Sequence, residues 1–385
     1  MKINKVSSVI IVFCLFGCSS TQIEPTPIFT AIPVATLQPL ETPVISPTST
    51  STTSPTSTAP EITTTTKDNQ MILKGFKPDT IQRLFWSKDG SRLFISTPDG
   101  IIVYDVANKK IITRLESNVV GQYFVELSPD ENTFAVVSSN NPIHTPIFNI
   151  SIRLINAETG NLIKTININN FGLVGLTFSP DSKTLAALNK NEEIALWDVA
   201  TGKEVKTLHK KDYGNYLIQR VYFNPDGKSL VASFIDYTYK VWDTSTWKLQ
   251  REFFCGDTVF QFNPDGSKFA TEGVGNFKPA VWEFSSGVKL FDLSAKSHSR
   301  ATAIDFDQSG KYIAVSVEHT IYDDSGIPTT IVDPVTIFDA NTGQFLRELA
   351  IRAVNLKFSP NGSKLALVSQ NENSNEIIIW DMNHP

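Results

Sequence analysis

The stretch TFSPDSKTLAALNKNEEIALWDVATG, residues 177–202, decides the fold. An apolar segment runs into a turn at Ser179-Pro180-Asp181, and Leu185-Ala186-Ala187-Leu188 follows it. A third apolar segment ends at Trp197-Asp198, and a turn at Thr201-Gly202 leads into Lys203–Leu208. Pro presets its own φ for a β-turn, Asp hydrogen-bonds the backbone, and Gly accepts positive φ. Short apolar runs bounded by such turns read as antiparallel strands, here four in succession.

The same unit recurs seven times, at a spacing of about 45 residues. Its first half reads FWSKDGSRLF from Phe85, ELSPDENTFA from Glu126, TFSPDSKTLA from Thr177 and YFNPDGKSLV from Tyr222. It continues as QFNPDGSKFA from Gln261, DFDQSGKYIA from Asp305 and KFSPNGSKLA from Lys357. The second half closes on Tyr104-Asp105, Ile155-Asn156, Trp197-Asp198, Trp242-Asp243, Trp282-Glu283, Phe338-Asp339 and Trp380-Asp381. Look-alike units of this size cannot each bury an apolar face alone, so they stack on one another. The expected fold class is all-β: a seven-bladed β-propeller of four-stranded antiparallel blades. The blades are expected near 81–115, 120–166, 173–208, 218–253, 257–293, 301–350 and 353–385.

Over roughly residues 70–385 these units resemble WD-repeats, the family whose repeat closes on Trp-Asp. The Gly-His pair that the family carries before each first strand is missing in every unit, with His209 and His298 at other offsets. The family's buried His–Ser/Thr–Asp–Trp network is therefore not carried over, and packing has to replace it. The seventh unit stops after its third strand, which leaves its outer position to Met71–Phe76. That segment is expected to pair with Ile377–Trp380 and latch the ring, as it does in WD-repeat propellers, because an open edge exposes unpaired backbone.

The propeller is assigned to 69–385, with two segments ahead of it. Residues 1–17 read as an export signal: Lys2 and Lys5, then an apolar run too short to span a bilayer. Leu15-Phe16-Gly17-Cys18 resembles the lipobox of bacterial lipoproteins, which implies cleavage before Cys18 and a lipid on its thiol. Residues 18–68, rich in Thr, Pro and Ser, read as a disordered tether, because they hold too little apolar surface to offset ordering entropy. At roughly 3.1 Å per residue such a tether reaches on the order of 100 Å. Together these features imply an extracytoplasmic, membrane-anchored lipoprotein.

The net charge of −5 includes no basic stripe, so nucleic acid is not an expected partner. Of three cysteines, only Cys255 stays in the propeller as a free thiol, expected to be small and buried. The five histidines are scattered, and no HExxH, CxxC or GxSxG pattern occurs. Asp323, Asp324 and Asp333 have the oxygen ligands for a cation, against the plainer reading of a solvated acidic loop. The acid or Asn closing each unit recurs in all seven, so it serves a turn and not a catalytic site. No catalytic residue, cofactor or metal is expected. Trp86, Trp197, Trp242, Trp282 and Trp380 read as core, and Trp247 as a surface residue.

In a four-stranded blade the first and third turns share one face, and here those turns are uniformly short. The irregular connections fall on the other face: Ser138–Asn149, Glu318–Pro334, His209–Leu217 and Ser294–Arg300. Loops on a rigid scaffold are where binding usually resides, and aromatic anchors serve it well. The candidate partner-binding face therefore comprises His144, Phe148, Tyr213, Tyr216, His298, Tyr322, Asp323 and Asp324. The expected function is a non-enzymatic scaffold or sensor that binds a protein partner while attached to the membrane through the Cys18 lipid. The alternative is a propeller enzyme of hydrolase or lactonase type, or a small-ligand receptor, that uses the central channel.

Overall fold

The computed structural model describes residues 62–67, 70–77, 80–116, 122–139, 150–168, 175–189, 191–214, 217–255, 260–273, 277–294, 299–322, 328–371 and 374–383. Two strands precede the first complete blade, β1 (Thr63–Lys67) and β2 (Gln70–Phe76). Blade one is β3 (Arg83–Trp86), β4 (Arg92–Thr97), β5 (Gly100–Asp105) and β6 (Lys110–Glu116). Blade two is β7 (Gln122–Leu127), β8 (Thr133–Ser139), β9 (Ile150–Asn156) and β10 (Leu162–Asn167). Blade three is β11 (Leu176–Phe178), β12 (Thr184–Leu188), β13 (Ile194–Asp198) and β14 (Glu204–Leu208), followed by a helical turn α1 (Lys210–Tyr213). Blade four is β15 (Ile218–Phe223), β16 (Ser229–Phe234), β17 (Thr238–Asp243) and β18 (Leu249–Phe254). Blade five is β19 (Phe260–Phe262), β20 (Lys268–Thr271), β21 (Ala280–Glu283) and β22 (Lys289–Asp292).

Blade six is β23 (Ser299–Phe306), β24 (Tyr312–Tyr322), β26 (Val335–Asp339) and β27 (Phe345–Leu349), with β25 (Pro328–Val332) paired to the far end of β24. Blade seven takes three strands from the end of the chain, β28 (Asn355–Phe358), β29 (Lys364–Asn371) and β30 (Ser374–Asp381). Its fourth is β2, antiparallel to β30 with Met71 opposite Ile379 and Leu73 opposite Ile377. The latch expected from the sequence is thus present, and the chain is a seven-bladed propeller. The ordered sheet also starts earlier than the composition suggested. Thr63–Lys67, assigned to the tether, pairs with β2 as a fifth strand. Threonine is β-branched and suits an exposed edge, and Thr64 and Thr66 hydrogen-bond Tyr104 and Lys109 of blade one.

No blade has a core of its own. Among the described residues, the buried apolar side chains form seven clusters, each straddling the seam between two neighbouring blades. Second strands are therefore buried on both faces: Leu185 and Ala187 point into the seam with blade two, and Ala186 and Leu188 into the seam with blade four. Trp242, 1% exposed, fills the same seam as Ala186. Trp86 and Trp197 are buried as expected, whereas Trp282 and Trp380 are only half-buried. Trp247, read as a surface residue, is half-buried against the seam of blades three and four.

The short turns are tied by hydrogen bonds within and between blades. In four blades a Ser hydroxyl at the start of the turn donates to the Asp or Asn two residues on, as from Ser87 to Asp89 (2.6 Å) and from Ser179 to Asp181 (2.6 Å). The same hydroxyl accepts the backbone N–H five residues on, as from Arg92 (2.9 Å). Neighbouring turns also touch. Lys88 N–H donates to Glu131, Asp130 N–H to Ser182 Oγ (2.9 Å), and Asn224 Nδ2 to the Gly266 carbonyl (3.0 Å). Pro180, Pro264 and Pro360 lie against Gly227, Gly310 and Gly90 of the next turn. Gly266 is fixed by space as well as by its φ of 73°, since a Cβ there would stand 1.8 Å from Asn224 Oδ1.

The acid or Asn closing each third strand does serve its turn: Asp198 Oδ1 accepts from the Thr201 N–H at 2.7 Å, and Asp243 Oδ1 from that of Thr246 at 2.7 Å. Opposite these residues, each outer strand of blades one to six shifts register by one residue. The bulges throw out Ile112, Ile163, Val205, Gln250, Leu290 and Leu346, a device that blunts an exposed edge.

This construction has two measurable consequences. Removing residues 1–76 strips β2 from the closing seam, so the melting temperature should drop markedly; an unchanged value would refute the latch. The Asp89 carboxyl is held down to about 2 by the Ser87 hydroxyl and the Ser91 N–H, and that of Asp243 to about 2 by the Ser245 hydroxyl and the Thr246 N–H. A carboxyl with a depressed folded pKa contributes stability that is complete above its unfolded value of 3.8 and lost as pH falls through its folded value. Urea midpoints should accordingly hold steady above about pH 5 and fall between pH 4 and 2.

Candidate functional site

The seven innermost strands, β3, β7, β11, β15, β19, β23 and β28, line a central channel with a volume near 560 Å³. In each, the residue before the apolar residue that leads into the turn faces the axis. The seven are Phe85, Glu126, Thr177, Tyr222, Gln261, Asp305 and Lys357. Two residues earlier, Arg83, Phe124, Gly175, Arg220 and Asn355 form a second tier.

These groups interact across three consecutive seams. Arg83 pairs with the Glu126 carboxylate, and its guanidinium carbon lies 4.1 Å from the centre of the Phe124 ring. Lys357 Nζ meets Asp305 Oδ1 at 2.5 Å, and the Phe358 N–H donates to the other oxygen at 2.8 Å. Asn355 donates to the Gln82 carbonyl (3.2 Å), and Trp86 Nε1 donates to that of Lys357 (3.0 Å). The charged pairs thus bind blade six to seven and blade one to two, on either side of the closing seam.

Burial pushes the Asp305 carboxyl above the usual carboxylate range, against the pull of Lys357. The Glu126 side chain keeps 28% of its surface accessible and lines the channel. Enclosure there raises its pKa against the nearby charges of Arg83, Lys357 and Arg220. Enclosure also pushes the Tyr222 phenol up to about 12. On the far wall Glu272 is held by Arg300 at 3.0 Å. Gly175 permits the close approach of blades three and four, because a Cβ there would stand 2.8 Å from the Val221 nitrogen.

The residues proposed for the loop-bearing face fare differently. His144, Phe148, Tyr216, His298, Asp323 and Asp324 lie outside the described residues, as does Cys18, and Tyr322 is described only as the last residue of β24. Tyr213 is no surface anchor. It is 4% exposed and packs against Phe234 and Trp242, each ring 5.8 Å away. The link between blades three and four coils into α1, which turns this side chain inward. Glu318–Pro334 is not a loose insertion either: β24 and β25 continue the blade as a hairpin, with Glu318 opposite Val332 and Ile321 opposite Thr329. At its base His319 Nδ1 lies 3.2 Å from Asp333 Oδ2, so Asp333 is engaged within the fold. Among the described residues, no three His, Cys, Asp or Glu side chains gather closely enough to hold a metal ion. Cys255 is buried as expected.

The reading of the sequence passed over the channel itself, although a signal was present. Across the seven aligned turns, the residue facing the axis is a different type in every copy: Phe, Glu, Thr, Tyr, Gln, Asp and Lys. The fold constrains its neighbour and leaves this position free. No family model matches the chain, and no curated protein matches it in sequence.

Proposed function

We propose that this propeller is a WD-repeat-type binding scaffold, displayed outside the cytoplasmic membrane on a lipid carried by Cys18, which presents its loop-bearing face to a protein partner. The observation that carries the reading is the difference between the two faces. One is a belt of short turns that hydrogen-bond one another and leave little to vary. The other bears the hairpin of β24 and β25, whose outer strand pairs on one side only. Its Pro328, Thr329 and Thr330 are exposed, as is Ile321 opposite. A rigid body with an extended, partly apolar edge suits recognition by strand addition or side-chain anchoring. The lipid anchor rests on Lys2, Lys5, the short apolar run and Leu15-Phe16-Gly17-Cys18.

A second reading, a small-ligand receptor, draws on the charged and aromatic lining of the channel. Two experiments bear on the main reading. Replacing Glu318–Pro334 by a short turn should leave the melting temperature within a few degrees and abolish capture of the partner from detergent-solubilised membranes; undiminished capture would overturn it. Cys18→Ser should move the protein from the membrane fraction to the soluble fraction, and retention in the membrane would exclude a lipid at this position.

A further inference from the structure

The charges in the channel do not balance pair by pair. Arg83 is matched by Glu126 and Lys357 by Asp305, while Glu272 is committed to Arg300. Arg220 enters none of the ion pairs among the described residues, and the group beside it is the neutral phenol of Tyr222. The Arg220 guanidinium is half-buried, hydrogen-bonds the Tyr222 phenol and lies near the Glu126 carboxylate that Arg83 already holds, so positive charge is in excess on this side of the channel. The planar fork of guanidinium donors suits an oxyanion bound through two hydrogen bonds. The surroundings fit such a guest. Gly175 of blade three lies directly against the backbone of Arg220 and Val221, so no neighbouring side chain from that position covers the guanidinium. Phe85, Phe124 and Tyr222 provide flat apolar walls, and 560 Å³ lies within the range of small-molecule sites.

We infer that the central channel binds a small oxyanion, a carboxylate or phosphate monoester on a flat apolar body, with Arg220 gripping the anionic group and the aromatic side chains flanking the rest. The tier varies from blade to blade, holding Arg83, Phe124, Gly175, Arg220, Ala303 and Asn355, so the fold itself does not dictate arginine at this position. The inference is independent of the docking face, because the hairpin of β24 and β25 contributes no residue to the channel lining.

The test is isothermal titration of the full chain with benzoate, phenyl phosphate, inorganic phosphate and the neutral analogue benzamide. Binding of benzoate or phenyl phosphate is expected, weaker at high salt, with benzamide silent. The better of the two binders names the source of the anion, and binding of inorganic phosphate alone would overturn the inference. Arg220→Gln should weaken binding at least about tenfold, whereas Lys228→Gln on the short-turn face should leave it unchanged. If Arg220→Gln does not fold, Arg220→Lys makes the same comparison, keeping the charge and losing the fork. Equal binding by the Arg220 variant, benzamide binding as well as benzoate, or no binding of any probe at millimolar concentration would overturn the inference.

Discussion

Every feature of this molecule depends on the fact that a four-stranded blade has two apolar faces and nothing within itself to cover them. The seven clusters of buried side chains all lie between blades, so a blade without neighbours has no core. Stability in such an arrangement is a sum over seams, and the sum is complete only when the ring closes. The closing seam draws Leu73 and Phe76 from one end of the chain, and Ala366, Val368, Ile377 and Ile379 from the other. Its two neighbouring seams also hold the channel's charged pairs, Lys357 with Asp305 and Arg83 with Glu126. Such enclosed pairs add little net stability, but each fixes one blade's position against the next.

The repeat made most of the architecture legible in the sequence. Seven copies of one turn, each set by a Pro, Asp, Ser or Gly with a specific backbone task, announced seven blades. The truncated last unit announced the latch. What remained hidden has physical reasons. β1 escaped because Thr63–Thr66 continues a Thr/Pro/Ser-rich composition, and only its partner β2 turns that composition into a strand. Tyr213 looked like an anchor because the link containing it is polar, with the ring's burial decided by Phe234 and Trp242 far along the chain. The Glu318–Pro334 insertion was legible by length but not by form, since Asp333-Pro334 interrupts an otherwise strand-like run.

Fold and recognition share the same strand. In β15, Val221 faces the seam with blade three, while Arg220 and Tyr222 face the channel. Alternation along the strand puts Val221 in one set and Arg220 in the other, whereas Tyr222 lines the channel and also packs against the seam of blades four and five. The short-turn face allows little freedom. There Trp247 adopts a φ of 57°, at a point where Gly160, Gly202, Gly287 and Gly343 stand in other blades. A bulky residue in that conformation is strained, and its contact with the seam of blades three and four is the compensation visible in the fold.

The hairpin of β1 and β2 also sets how the molecule responds to load. Tension on the chain ahead of Ile62 arrives first at Thr63, the open end of the hairpin, where it meets Lys74. The five residue pairs of β1 with β2 and the clips to Tyr104 and Lys109 bear that load first, ahead of the pairs that join β2 to β30. β1 therefore acts as a mechanical fuse, releasing slack under a tug while the strand that seals the ring keeps its place.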